Sequence, residues 1–213
     1  MPSLKILNQS DARPYHLHDL LKSNGRWRIL FFPGDIHNPS IRSRLDALGD
    51  KLNAADGFIR RYTRPEKAID SLIECLIIHA SPRKETTIFD FPPIFRAFSP
   101  TEGLDYGKIF VDDESYHEGH GEAYHNYGIG REQGCAVVVR PDQYVSWMGR
   151  WDDVEMMGRF FGGFMRESKE GPNRVNIDMG PKTLAYELEE GRAGKADGVA
   201  GDAAVEGLVE GAM

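Results

Sequence analysis

Apolar and polar positions alternate along this chain in two distinct rhythms. Arg28-Ile-Leu-Phe-Phe32 is a short apolar run closed by Pro33-Gly34-Asp35, the pattern of a buried strand ending in a turn. Ile41, Leu45, Leu48 and Leu52 then recur three and four residues apart, while Arg42, Arg44, Asp46 and Lys51 fall elsewhere. That spacing predicts one amphipathic helix. Leu72–Ile78 reads as a second buried strand, and Lys108-Ile-Phe-Val111 as a third. Ala136–Val139 and Gln143–Trp147 flank Arg140-Pro141-Asp142, which predicts a β-hairpin. Val154, Met157, Phe161, Phe164 and Met165 mark a last helix, leaving Met156 and Phe160 outside its stripe. The order β-α-β, β-α-β-β-α implies an α/β fold with a mixed sheet and flanking helices.

Two stretches break the rhythm. Phe89–Tyr106 contains Phe91-Pro92-Pro93-Ile94-Phe95 and has no period, so it reads as a loop packed by its own phenylalanines. From residue 190 onward the chain is almost wholly Gly, Ala and acidic residues with little to bury, so a globular body is expected over 5–189 and a disordered tail over 190–213.

Composition narrows the function. Of 213 residues, 33 are acidic and 26 basic, a net charge of −7 that disfavours nucleic-acid and anionic-membrane partners. No apolar run reaches the roughly 20 residues of a membrane span. Cys75 and Cys135 lie in no CxxC and within apolar strand patterns, so they are expected to be buried, unpaired thiols in a cytoplasmic protein.

The densest polar segment is Asp112-Asp-Glu-Ser-Tyr-His-Glu-Gly-His-Gly-Glu-Ala-Tyr-His125. His117 and His120 would lie about 60° apart on a helix, and His117-Glu-Gly-His120 is one residue short of the zincin HExxH spacing. No metal site is therefore expected. Ser115-x-x-Glu118 offers a capping box, with Tyr116, His120, Ala123, Tyr124 and Tyr127 on one helical face. As catalytic candidates, His117 or His120 oriented by Asp113 or Glu114 would form an acid–base pair. His37, in the loop after the first strand, is the other candidate. No GxSxG supports nucleophilic hydrolysis.

The run Phe31-Phe-Pro-Gly-Asp35 resembles the strand end that, in peroxiredoxin-like and thioredoxin-like proteins, leads to the reactive cysteine at the next helix's N-terminus. Here Ile36-His37-Asn38-Pro39-Ser40 holds no cysteine. Leu7–Pro14, Leu20–Arg28, Asp113–Gly121 and Val138–Val145 together resemble the C-terminal domain of flavin-dependent phenol hydroxylases. That resemblance implies a thioredoxin-like dimerisation module without redox chemistry. It would form a homodimer or associate with a flavin monooxygenase of aromatic-compound metabolism. The strand–GxGxxG–helix unit of a flavin site is not found, so no cofactor is expected in this chain, FAD belonging to the full-length relatives. The alternative is a small enzyme of aromatic or secondary metabolism using the His117/His120 segment as an acid–base or ligand site. Met156, Phe160 and the Phe91–Phe98 loop are the apolar surface expected at a dimer interface.

Overall fold

The computed structural model describes residues 4–99, 103–116 and 121–168. In chain order the elements are β1 (Lys5–Asn8), β2 (Pro14–His16), α1 (Leu17–Leu20), β3 (Trp27–Gly34), α2 (Pro39–Asn53), α3 (Phe58–Tyr62), β4 (Ile73–His79), β5 (Phe98–Ser99), β6 (Gly103–Leu104), β7 (Ile109–Val111), α4 (Ala123–Tyr127), β8 (Cys135–Val139), β9 (Val145–Gly149) and α5 (Val154–Gly162). Seven strands form one sheet in the order β2-β1-β7-β4-β3-β8-β9. β3 pairs in parallel with β4 through the α2 crossover, and antiparallel with β8, which turns into β9. The sub-order β4-β3-β8-β9, with α2 and α5 as its helices, is the thioredoxin-like arrangement. β7, β1 and β2 extend it on the β4 side.

Both faces of the central strands are covered, which is why β3 and β4 read as continuous apolar runs. Ile29, Phe31, Cys75 and Ile77 point to one face, where Leu45, Leu48 and Leu52 of α2, Phe58 of α3 and Met157 and Phe161 of α5 meet them. Leu30, Phe32, Leu76 and Ile78 point to the other, under Leu17 of α1 and Ala123 and Tyr124 of α4. Asn38 caps α2 by accepting from the Ser40 N–H at 3.0 Å, and Pro39 opens the helix without losing a hydrogen bond.

Several expectations are corrected. The first strands, β1 and β2, carry too few residues and too mixed a pattern to stand out. Phe91 and Phe95 of the aperiodic loop are core residues, held by short 3₁₀ turns, with Phe95 edge-on to Phe31 at 5.5 Å. Phe160 packs partly buried against Trp27 and Phe161, whereas Phe164 of the supposed stripe is 49% exposed. Cys75 is buried, but Cys135 at the start of β8 is only half-buried. The helix expected from Ser115 starts only at Ala123. Ser115 lies outside any helix, Gly121 and Glu122 have φ of +85° and +61°, and Tyr116 is 95% exposed. Residues 169–213, including the expected tail and the stretch leading to it, lie outside the described residues.

At the end of the sheet where β3 and β4 begin, Arg28 ion-pairs with Glu74 at 2.9 Å, and Arg26 reaches both Asp70 and Glu74. Lys108, fully buried, is bonded to Asp70 and lies 3.5 Å from Glu74 and 3.4 Å from Asp105. Burial opposes its charge, yet the three carboxylates leave its pKa raised. The basic residues Arg26 and Arg28 are thus internal counter-ions.

Candidate functional site

The opposite end of the sheet, where β3 and β4 finish and α2 begins, is where this fold places chemistry. Gly34 closes β3 with φ of +95°, and a Cβ there would sit 1.9 Å from the Arg131 carbonyl oxygen, so only glycine fits. Its N–H donates to the Tyr124 hydroxyl at 2.9 Å, and that hydroxyl donates to the Ile78 carbonyl at 2.6 Å. One buried phenol therefore ties the ends of β3 and β4 together. Burial pushes its pKa up, so it stays a neutral O–H. Tyr124 is presented by α4, whose first two N–H groups, Ala123 and Tyr124, donate to the buried Asp112 carboxylate at 2.6 and 3.1 Å. Arg131 approaches the same carboxylate at 3.5 Å. Asp112, read from sequence as part of an acidic run, is the anchor of α4.

The loop Asp35-Ile36-His37-Asn38 is pinned from both sides. Asp35 Oδ1 accepts from the His37 N–H at 2.9 Å, and the Ile36 N–H donates to Ser81 Oγ at 2.8 Å. Beneath it lies His79, the last residue of β4 and fully buried against Phe91, with ring centroids 4.9 Å apart. The Ser81 N–H donates to His79 Nδ1 at 3.3 Å, so the ring proton is on Nε2, which donates to Gln9 Oε1 at 3.0 Å. Gln9 in turn donates through Nε2 to the Thr86 carbonyl at 2.6 Å and the Arg83 carbonyl at 3.1 Å. Desolvation lowers the His79 pKa to about 3, with Asp35 and Asp90 opposing that shift and His37 adding to it. His79 is a neutral structural imidazole with both nitrogens in use.

Of the residues singled out in the sequence, His37 is at this site and exposed. Its Nε2 lies 3.2 Å from Thr86 Oγ1, which itself donates to the Pro82 carbonyl at 2.9 Å and so accepts the imidazole N–H. Asp113 is exposed and accepts from the neighbouring Glu114 N–H. Among the described residues, no hydrogen bond or ion pair joins Asp113 to His37. His117 and His120 lie outside the described residues. Among those described, no group of three His, Cys, Asp or Glu residues is placed to hold a metal ion. His79, Gln9 and Thr86 were missed in the sequence. The one usable signal was a histidine directly after the apolar run of a central strand.

No thiol stands in the loop. Cys75 faces the core beneath α2, where burial raises its pKa to about 12, and burial raises that of Cys135 as well. The site is a lattice of satisfied donors and acceptors around a closed loop.

The model of one family, the phenol hydroxylase C-terminal dimerisation domain, matches residues 1–169 of the 213. The chain belongs to that family. Within it, the FAD-dependent monooxygenase terD of Aspergillus terreus is 40% identical over 180 residues, 83% of this chain and 29% of that protein. The phenol 2-monooxygenase fsqG of Aspergillus fumigatus is 35% identical over 175 residues, 82% of this chain and 27% of that protein. The chain therefore spans less than a third of the length of these relatives. Among solved structures, a thiol:disulfide interchange protein from Bacteroides sp. is 12% identical, with 76% of this chain and 88% of that one covered at a TM-score of 0.45. For this dimerisation-domain member, no described helix is long and apolar enough to cross a membrane.

Proposed function

We propose that this chain is a redox-inactive association module of aromatic-compound metabolism, pairing with a second copy of itself in the cytoplasm. The flavin chemistry would belong to a monooxygenase of the kind its relatives represent. One observation carries this reading. The loop that in thioredoxin-like proteins presents a reactive cysteine is here Asp35-Ile36-His37-Asn38, closed by its own hydrogen bonds and without a thiol, in a domain of a dimerisation family. A nucleophilic thiol needs exposure and a lowered pKa, and both cysteines are shifted the other way. The His37 imidazole donates to the Thr86 hydroxyl, and among the described residues no carboxylate is bonded to its ring to orient it.

Light scattering on the purified chain at rising concentration is the test. A mass near twice 24.0 kDa is expected, and one that holds at 24.0 kDa would overturn self-association. The same sample should elute from gel filtration without flavin absorbance and should leave a disulfide substrate unreduced. A retained yellow chromophore or disulfide reduction would overturn the redox-inactive part of the reading.

A further inference from the structure

The link between α1 and β3 contains Lys22-Ser23-Asn24-Gly25-Arg26, and Asn24 is the one asparagine of the sequence that glycine follows. Asn24 and Gly25 are both exposed. Gly25 has φ of +83°, and nothing lies within 4 Å of where its Cβ would be. Its peptide nitrogen is thus open to solvent, and among the described residues its N–H donates to no other group. The Asn24 side chain folds over that peptide. Its Oδ1 accepts from the Arg26 N–H at 3.3 Å, which closes an Asx turn, and from Arg28 Nη2 at 3.0 Å. An Asx turn brings the side-chain amide carbon beside the intervening peptide nitrogen, here that of Gly25. The Arg28 guanidinium is itself buried and fixed, by Glu74 at 2.9 Å and by the Lys22 carbonyl at 2.7 Å. Two preset donors, one of them a cation, therefore point at the carbonyl oxygen of an amide that lies against a free N–H.

We propose that Asn24 is a site of self-modification, at which the fold itself promotes deamidation. Hydroxide takes the Gly25 amide proton and becomes water. The nitrogen attacks Asn24 Cγ, a C–N bond forms, and the C=O electron pair moves onto Oδ1. Arg28 and the Arg26 N–H already bond that oxygen, so they stabilise its developing negative charge as the donors of an oxyanion hole do. Collapse of the intermediate breaks the Cγ–Nδ2 bond, and the leaving nitrogen takes a proton from water and departs as ammonia. A five-membered succinimide remains. Water then opens it at either carbonyl, giving aspartate or, with the chain rerouted through the side-chain carboxyl, isoaspartate. No oxidant or reductant is needed. Glycine at position 25 suits the attack because no Cβ crowds the nucleophile. The aspartate product keeps its place on Arg28 and turns a bond to a neutral amide into one between ions. It also adds a carboxylate to the cluster that holds Arg26, Arg28 and Lys108.

The test is to age the full chain in neutral buffer, one portion folded and one unfolded in guanidinium chloride, and to map peptide masses at intervals. The peptide carrying Asn24 is expected to gain the mass of an amide becoming a carboxyl, with isoaspartate in the product. The rate should be several-fold higher in the folded portion, because only there are the two donors held on Oδ1. In that portion the peptides carrying Asn8, Asn53 and Asn126 should stay unchanged. A folded rate equal to or below the unfolded one overturns the proposal, since glycine alone would then account for the reaction. The Arg28→Gln chain should age about tenfold more slowly when folded and at an unchanged rate when unfolded, a smaller loss than in a dry active site because Asn24 is exposed. A folded Arg28→Gln chain that ages as fast as the unsubstituted one also overturns it. If that variant does not fold, the comparison of folded and unfolded portions of the unsubstituted chain decides by itself.

Discussion

His79 shows how much one buried side chain controls here. Its folded-state pKa is lowered from 6.5 to about 3, so below 6.5 the unfolded chain takes up a proton that the native state refuses. The contribution is complete above the unfolded pKa and is lost as pH falls toward 3, by up to about 1.4 kcal/mol per pH unit. Asp152, held down to about 2 by hydrogen bonds from Arg150 and Arg44 against the opposing effect of burial, acts only below the ordinary carboxylate range of about 4. Denaturant titrations between about pH 6 and about pH 4 should therefore report mainly on His79. The His79→Gln chain should show a stability slope flatter by close to one proton over that window, and an unchanged slope would mean that the ring is not neutral in the native state. Its place directly after the apolar run of β4 was the only local signal, and it said nothing of the partners that fix the ring: Gln9 lies 70 residues away.

At the scale of elements, α5 was read from its period, and the period was right about what anchors it. Met157 and Phe161 are fully buried, and Phe161 stacks on Phe58 of α3 at 5.4 Å with ring planes 15° apart. The period could not say where the helix stops. It ends at Gly162, so Phe164 leaves the stripe and lies against Trp27 at 4.9 Å with half its surface in water. Phe161→Ala should cost about 3–5 kcal/mol of unfolding free energy, whereas Phe164→Ala should cost less than about 1.5, compared by chemical denaturation. Equal losses would show that α5 is anchored at its end rather than its middle. The segment before α4 went the other way. Its tyrosine and histidine spacing suggested a helix from Ser115. The chain instead reverses through Gly121 and Glu122 in left-handed conformation, and Asp112 reaches eleven residues along to cap Ala123. A capping interaction across that loop leaves no short-range signature.

For the whole molecule, the strands, the α2 crossover and the closing hairpin already implied an α/β fold with a mixed sheet, the family resemblance implied its thioredoxin-like form, and the tail's composition carries its own expectation. Deleting residues 191–213 should change unfolding stability by less than about 0.5 kcal/mol, because that stretch supplies almost nothing to bury. A lowered melting temperature on truncation would count against it. The sequence by itself determined whatever depends on period and residue type. That covers the buried β3 and β4, the amphipathic α2, the β8–β9 hairpin and the loop without a cysteine. Such features are local, since a strand or helix shows its buried face every second or every third to fourth residue. Only the tertiary structure decided which polar groups meet. Asp112 beneath α4 is a pairing across more than ten residues, and Tyr124 between Gly34 and Ile78, and Lys108 with Asp70 and Glu74, are pairings across more than thirty. It also decided which apolar residues stay outside. Phe91 and Phe95 go into the core, while Val145 and Met148 of the edge strand β9 are exposed among the described residues, because burial depends on what the rest of the chain brings to cover each position.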